Sequence, residues 1–223
     1  MTVKGQVSRP RIETRWPVAL AIVAVVILLT LLPRTLRLAP AWITYLVGVA
    51  MLIPVAAVGL TTGKVRWLRV ERVVTLLVVV YSCLALLANL TKLIGAMVTG
   101  SADLSGAQLL ASGIAVWVSN VLIFSLLYWQ MDRGGPEKRV NDATRRPDWL
   151  FPQEGAPAEH VRPGWQPAFV DYLFLGYSTA TAFSTTDVIP LTPRAKLLMM
   201  LESSISLVTM VVVASRAINI LGS

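Results

Sequence analysis

Apolar runs of membrane length dominate this chain. A helix rises 1.5 Å per residue, so crossing a hydrocarbon layer of about 30 Å takes about 20 mostly apolar residues. Four such runs precede residue 131: Trp16–Leu32 (the shortest), Ala41–Leu60, Val73–Leu90 and Ala107–Trp129. A fifth, Ala195–Leu221, closes the sequence and is interrupted by Glu202, Ser203, Ser204, Ser206 and Arg216. Only 14% of the 223 residues are charged, against about 25% in a soluble domain. Such a chain cannot cover its surface with polar groups, so lipid must serve as its solvent. Inside lipid every backbone N–H and C=O needs an internal partner, which leaves helices as the spanning element for runs of this length. The expected fold is therefore all-α: a polytopic membrane protein with about five transmembrane helices.

The segments between the runs divide the chain. Pro33–Pro40, a basic loop with Lys64, Arg66, Arg69 and Arg72, and Gly100–Gly106 separate the first four helices. Residues 1–130 thus form a four-helix membrane region. Residues 131–167 form a polar linker with six acidic and six basic residues and several prolines; it reads as a solvent-exposed tether with little regular structure. Residues 168–223 hold the remainder. Trp16, Trp42, Tyr128 and Trp129 fall at run ends, where amphipathic rings prefer the membrane interface. The basic stretch Met1–Arg15 leads into the first run without a small-residue cleavage site, so an uncleaved signal anchor is expected.

Ala168–Val188 is the ambiguous stretch. It is apolar enough to enter a membrane, yet it carries Asp171, Ser178, Thr179, Thr181, Ser184, Thr185 and Thr186. The pattern predicts a short helix from Phe169 to about Ala182 that stops part-way, followed by an irregular polar segment, Phe183–Pro190, that returns to the surface. Irregular backbone at membrane depth survives only where protein or a water-filled cavity surrounds it. A re-entrant half-helix before the last spanning helix therefore implies burial in a bundle or oligomer.

This order of half-helix, polar turn and long helix resembles the two-helix pore domain of potassium-type channels, over Asp171 to Arg216. The residues that carry the resemblance are Asp171-Tyr172-Leu173-Phe174, then Thr179-Ala180-Thr181-Ala182-Phe183-Ser184-Thr185-Thr186-Asp187, Pro190-Leu191-Thr192-Pro193, Glu202 and Arg216. The C-terminal part is more closely similar to that of uncharacterised bacterial polytopic membrane proteins with no assigned role. The channel resemblance implies a homo-oligomer, a tetramer, in the lipid bilayer of the bacterial inner membrane, with monovalent cations as the permeant species. The filter departs from the family pattern. Potassium filters use two glycines so that the backbone can alternate and aim its carbonyls inward; here those positions are Ser184 and Thr186, with Thr185 at the tyrosine position. The implied pathway is lined by the hydroxyls of Thr181, Ser184, Thr185 and Thr186 and the Asp187 carboxylate, with Glu202 as a further pathway candidate, and is not selective for potassium.

Charge sets the expected orientation. With five spans and a re-entrant segment, sixteen Lys and Arg fall on the side of the N-terminus and linker, and four (Arg34, Arg37, Lys92, Arg216) on the other. The positive-inside rule then places the linker and the entry of the half-helix in the cytoplasm, whereas channel pore loops enter from outside. Two arrangements stay open: an inverted pore loop, or a segment Ala168–Ile189 that crosses fully. Two functions also stay open: a pore-loop protein that conducts cations, and a non-conducting structural or assembly protein with a pore-derived fold.

Other chemistry is thinly represented. The net charge of +8 flanks apolar runs and forms no basic face with interleaved aromatics, so no nucleic-acid partner is expected. Cys83 has no second cysteine, and His160, the single histidine, reads as a solvated linker residue. With no phosphate-cradling Gly-rich loop, no His-Glu-x-x-His and no acid pair in one span, neither an enzyme nor a cofactor is expected. Glu202 reads either as an ion or proton site or as a buried carboxylate paired with a base. Asn89 and Lys92 share a face of the third helix, with Lys92 snorkelling to the interface. Trp117, Asn120, Phe124 and Tyr128 form a stripe on the fourth helix, expected to be interhelical packing and hydrogen bonding. Asp132-Arg133-Gly134-Gly135-Pro136 is expected to end that helix through a glycine cap.

Overall fold

A computed structural model describes residues 13–37, 39–60, 65–99, 105–142, 144–181 and 188–221. They are helical almost throughout: α1 (Trp16–Leu31), α2 (Ala41–Leu60), α3 (Val65–Thr99), α4 (Gly106–Met131), α5 (Pro136–Asn141), α6 (Pro152–Gly155), α7 (Phe169–Thr181) and α8 (Pro193–Leu221). The one sheet among them pairs β1 (Trp149–Leu150) with β2 (Ile189–Pro190), antiparallel. Four helices are long and apolar enough to cross a membrane, within Ala41–Leu60, Arg69–Ala96, Gly106–Gly134 and Pro193–Ser215. That fits a multi-pass membrane protein. α1, with 16 residues, is apolar but shorter.

α4 is the centre of the bundle and packs against α1, α3, α7 and α8. Its spanning window is 61% buried, against 22% for that of α8. The sequence explains the position. Ser112, Gly113, Ser119 and Ser125 are small and buried, so neighbouring backbones approach closely, and polar side chains at such seams bond across helices. A capping box starts the helix: Ser105 Oγ accepts from the Gln108 N–H at 3.2 Å, and Gln108 Oε1 accepts from the Ser105 N–H at 2.9 Å. The stop differs from the expected glycine cap: Asp132 caps the helix, its N–H donating to the Tyr128 carbonyl, Arg133 takes the left-handed φ of 54°, and the glycines close the turn that follows. Gly134 and Gly135 have φ of +80° and +102°, and the Gly135 N–H returns to the Asp132 carbonyl at 2.9 Å. Outward faces of the helices stay apolar, as with Leu20 and Ile27 of α1, Leu46 and Ile53 of α2, and Leu207 and Val211 of α8.

Contacts order the helices end to end. Arg15, before α1, bonds Glu71 near the start of α3 at 3.3 Å. Trp129, at the end of α4, donates to Glu13 at 2.9 Å. The opposite end of the bundle holds the α1–α2 turn, where Lys92 of α3 donates to the Arg37 carbonyl at 2.6 Å. The N-terminal side of α1, the start of α3, the end of α4 and the linker thus share one end, called here the linker end.

Several sequence expectations need correction. The linker is no loose tether: Asp132, Arg139, Asp148, Trp149 and Phe151 are buried, and it contributes α5, α6 and β1. Alternating charge in its sequence concealed ion pairs that fold it onto the bundle. His160 is solvent-exposed as expected. The loop expected at Lys64–Arg72 is helical from Val65 onward, because α3 extends about two turns before its apolar run. Trp16 and Trp42 are exposed at run ends, but Tyr128 and Trp129 are fully buried, their polar atoms engaged by Glu202 and Glu13. Lys92 is tied to a turn carbonyl rather than free to snorkel.

Trp149 provides the test of the folded linker. Its indole lies 4.9 Å from the Tyr128 ring and is fully buried. Trp149→Ala is expected to destabilise the protein by about 3–5 kcal/mol, read as a lowered unfolding temperature in detergent. Trp42→Ala, on the exposed face, is expected to leave it within about 0.5 kcal/mol.

Candidate functional site

α7 begins at the linker end and is held there by a polar cluster. The Phe169 N–H donates to Glu13 Oε1 at 3.0 Å. The Tyr172 hydroxyl donates to Asp132 Oδ2 at 2.5 Å, and the Arg139 guanidinium lies 4.9 Å over the Tyr172 ring. Arg139 also donates to Glu13 Oε2 at 3.1 Å and to the Trp129 carbonyl at 3.1 Å. Each buried charge here has a partner, as burial demands. Burial pushes the Arg15 guanidinium below its ordinary range, opposed by Glu71 and Glu13.

Residues just before and at the start of α8 lie at the same cluster. β2 pairs with β1, and the Leu191 N–H donates to the Asp148 carbonyl at 2.8 Å. The Asp148 carboxylate accepts from Thr192 Oγ1 at 2.7 Å and from Arg194 in a two-pronged contact at 2.7 and 2.6 Å, the geometry a guanidinium fork favours. The Asp148 N–H donates in turn to Asp132 Oδ1 at 2.8 Å. Asp132 therefore joins α4, the linker and α7 directly, and reaches the start of α8 through Asp148.

Between those anchors α7 runs inward for 13 residues, about 20 Å at 1.5 Å per residue. It runs alongside α8 in the same direction and opposite to α4. Ser203 Oγ donates to the Thr179 carbonyl at 3.1 Å, and Ser206 Oγ to the Ala180 carbonyl at 2.5 Å. These are C-terminal carbonyls of α7 that lack intrahelical partners, and two α8 serines supply the missing donors. Trp117 of α4 donates to Ser206 Oγ at 2.7 Å, and its ring meets Tyr177 edge-on at 6.1 Å. The expected α4 stripe is thus interhelical glue: Trp117 and Tyr128 bond α8 side chains, and Asn120 donates to the Glu202 carbonyl at 3.1 Å.

Of the pathway candidates, Thr181 and Glu202 lie among the described residues. Thr181 is the last described residue of α7, and its hydroxyl donates back to the Tyr177 and Ser178 carbonyls at 3.0 and 3.2 Å. Ser184, Thr185, Thr186 and Asp187 lie outside the described residues, as does the side chain of Arg216. Glu202 is fully buried in the α4–α7–α8 seam, where Tyr128 donates to its Oε2 at 2.5 Å. Among the described residues its side-chain companion is a phenol and no base pairs with it.

Gly176 was not singled out by sequence reasoning, though a lone glycine inside an otherwise bulky helix was the available signal. A Cβ there would lie 2.5 Å from Ser125 Oγ, 3.2 Å from the Val121 carbonyl oxygen and 3.3 Å from Glu202 Oε1. Only glycine lets α7 approach α4 and α8 this closely. Among the described residues no group of three or more His, Cys, Asp or Glu side chains is placed to hold a metal ion. The chain matches no known family model, no curated protein and no solved structure.

Gly176→Ala is expected to push α7 away from α4, lowering thermal stability and raising protease sensitivity near 182–190. Adding Ser125→Ala removes the nearest clash but leaves the Val121 carbonyl, so the double variant is expected to recover only part of the loss. Tyr172→Phe leaves the buried Asp132 carboxylate short of a donor and is expected to cost about 1–3 kcal/mol. Both effects are measured by unfolding in detergent.

Proposed function

We propose that this is a pore-loop membrane protein of the bacterial inner membrane. In this reading α1, α2, α3, α4 and α8 cross the bilayer, and residues 169–190 dip into it from the cytoplasmic linker side and return. Homo-oligomers then bring the hydroxyl-rich turn Thr181–Asp187 from each copy to a common cation pathway.

One observation carries the reading. Phe169 at the start of the segment and Ile189–Thr192 at its end are tied to the same end of the bundle, through Glu13 and Asp148. The intervening helix ends beside Ser203 and Ser206, ten and thirteen residues into α8. At 1.5 Å per residue that is about 15–20 Å from the α8 start, well inside a hydrocarbon layer about 30 Å thick. A helix of about 20 Å cannot cross such a layer, and its far end needs polar partners that lipid does not offer. α4 and α8 supply them.

The lost filter glycines direct the chemistry. Ser and Thr pay a steric cost in the left-handed backbone that a carbonyl filter needs, so side-chain hydroxyls and Asp187 take over cation contact, with weak selectivity among monovalent cations.

A second reading, a non-conducting assembly protein, is favoured by one observation. The hydroxyls of Thr181, Ser203 and Ser206 are turned to carbonyls within their own chain, which serves folding rather than ions.

Purified protein in liposomes separates the two. Conduction predicts a potassium and sodium leak that Asp187→Asn and Thr185→Val each change about tenfold. Absence of leak under any cation gradient, with the variants indistinguishable from the parent, removes conduction and leaves the assembly reading. A cysteine introduced at Glu154 in a Cys83→Ser background is expected to react only with reagents on the cytoplasmic side.

A further inference from the structure

Four donors of α4 serve the seam around Glu202. The Tyr128 hydroxyl donates to Oε2 at 2.5 Å. The Asn120 amide donates to the Glu202 main-chain oxygen at 3.1 Å. Ser125 Oγ donates to the Val121 carbonyl at 2.6 Å, and Trp117 donates to Ser206. Oε1, fully enclosed, has no hydrogen-bond partner among the described residues. It points to the notch left by the missing Gly176 side chain, where the other nearby polar atoms are Ser125 Oγ and the Val121 oxygen. The seam therefore encloses one carboxyl oxygen with no donor bonded to it.

A bare carboxylate in such a place is an uncompensated buried charge, which costs several kcal/mol. Two ligands would relieve it. A dehydrated metal cation needs a shell of converging oxygens, and among the described residues no group of three or more His, Cys, Asp or Glu side chains is placed to supply one. A proton needs no such shell. It neutralises the carboxyl in place.

We infer that Glu202 and Tyr128 form a buried proton-binding site against Gly176, in which the Glu202 carboxyl is held neutral at physiological pH. Tyr128 from α4 is the titratable group bonded to Glu202. Cys83 from α3 lies within electrostatic reach of it; α7 faces it with Gly176, and α8 adds no second charge beside it. The site lies between helices of one chain and stands whether or not the polar turn conducts.

The sign of the linkage follows. A neutral acid favoured in the folded state contributes stability that is complete at low pH and is lost as pH rises through its folded-state pKa.

Infrared spectroscopy of the protein in lipid nanodiscs tests the site directly. The neutral-carboxyl C=O band is expected at pH 7 and is expected to disappear in Glu202→Gln. That variant, an isostere of the neutral acid, is expected to match the parent's unfolding temperature only at acid pH, where the unfolded parent also keeps its proton, and to lack the parent's loss of stability as pH rises. An unchanged carboxyl band in Glu202→Gln, or an unchanged pH dependence of its unfolding, overturns the proposal. Should Glu202→Gln fail to fold, Tyr128→Phe decides: removing the donor to Oε2 shifts the band to higher frequency if Glu202 is neutral, and a spectrum identical to the parent's sinks the idea.

Discussion

The Asp132 carboxylate is the constraint on which the architecture turns. One oxygen accepts from the Asp148 main chain and the other from the Tyr172 hydroxyl. A carboxylate excluded from water at the end of α4 must find donors, and the two it finds belong to the linker and to α7. Asp148, fixed in this way, uses its own carboxylate to seat Thr192 and Arg194 at the start of α8. Four segments far apart in sequence are thereby brought to one end of the bundle by two acidic side chains. Removing the Asp132 carboxylate would leave the Tyr172 hydroxyl and the Asp148 N–H buried without their acceptor and loosen Asp148, so the pair acts as a unit rather than as separate hydrogen bonds.

From that fixed end α7 projects into the bundle, and the carbonyls of its last described turn face α8. The α8 serines donate to them. A serine in an apolar helix gives up little packing volume, and its hydroxyl ordinarily returns to its own helix, as Ser204 does with Met200 at 2.8 Å. Ser203 and Ser206 instead point across to α7. The hydroxyls that interrupt the last apolar run are thus the complement of α7's last described turn. Gly176 completes the arrangement from the other side, because hydrogen bonds of about 3 Å between helices require backbones closer than most side chains permit.

Periodicity and run length made most of the helices legible before any coordinates. α2 matches its apolar run end to end, and α7 is helical from its expected start at Phe169 through Thr181, the last described residue before 188. The α4 stripe was legible as well, since a lone Asn at helical spacing from Trp and Tyr has few uses in lipid besides bonding another helix. The linker was not, for a physical reason. A stretch with equal numbers of acids and bases and many prolines reads as solvated whether its charges face water or each other, and only the fold shows that Glu13, remote in sequence, pairs with Arg139. Trp149 and Phe151 were the available clue: two large rings in a polar stretch seek cover. Burial of Tyr128 and Trp129 escaped for the same reason, because a ring at a run end looks interfacial until a folded linker covers it.

Ion pairing also bears on orientation. Much of the positive charge at the linker end is engaged: Arg15 with Glu71, Arg133 with Glu154, Arg139 with Glu13, Arg145 with Asp142 and Arg194 with Asp148. Counted by net charge, these residues would drop out of the topology argument. The positive-inside bias, however, acts during insertion, before tertiary pairs exist, and acidic residues contribute little to it. In the proposed orientation the same arginines direct the linker end to the cytoplasm first and cement the folded linker afterwards. That double use explains why arginine, with its fork for bidentate carboxylate contacts, supplies the cation in each of those five pairs.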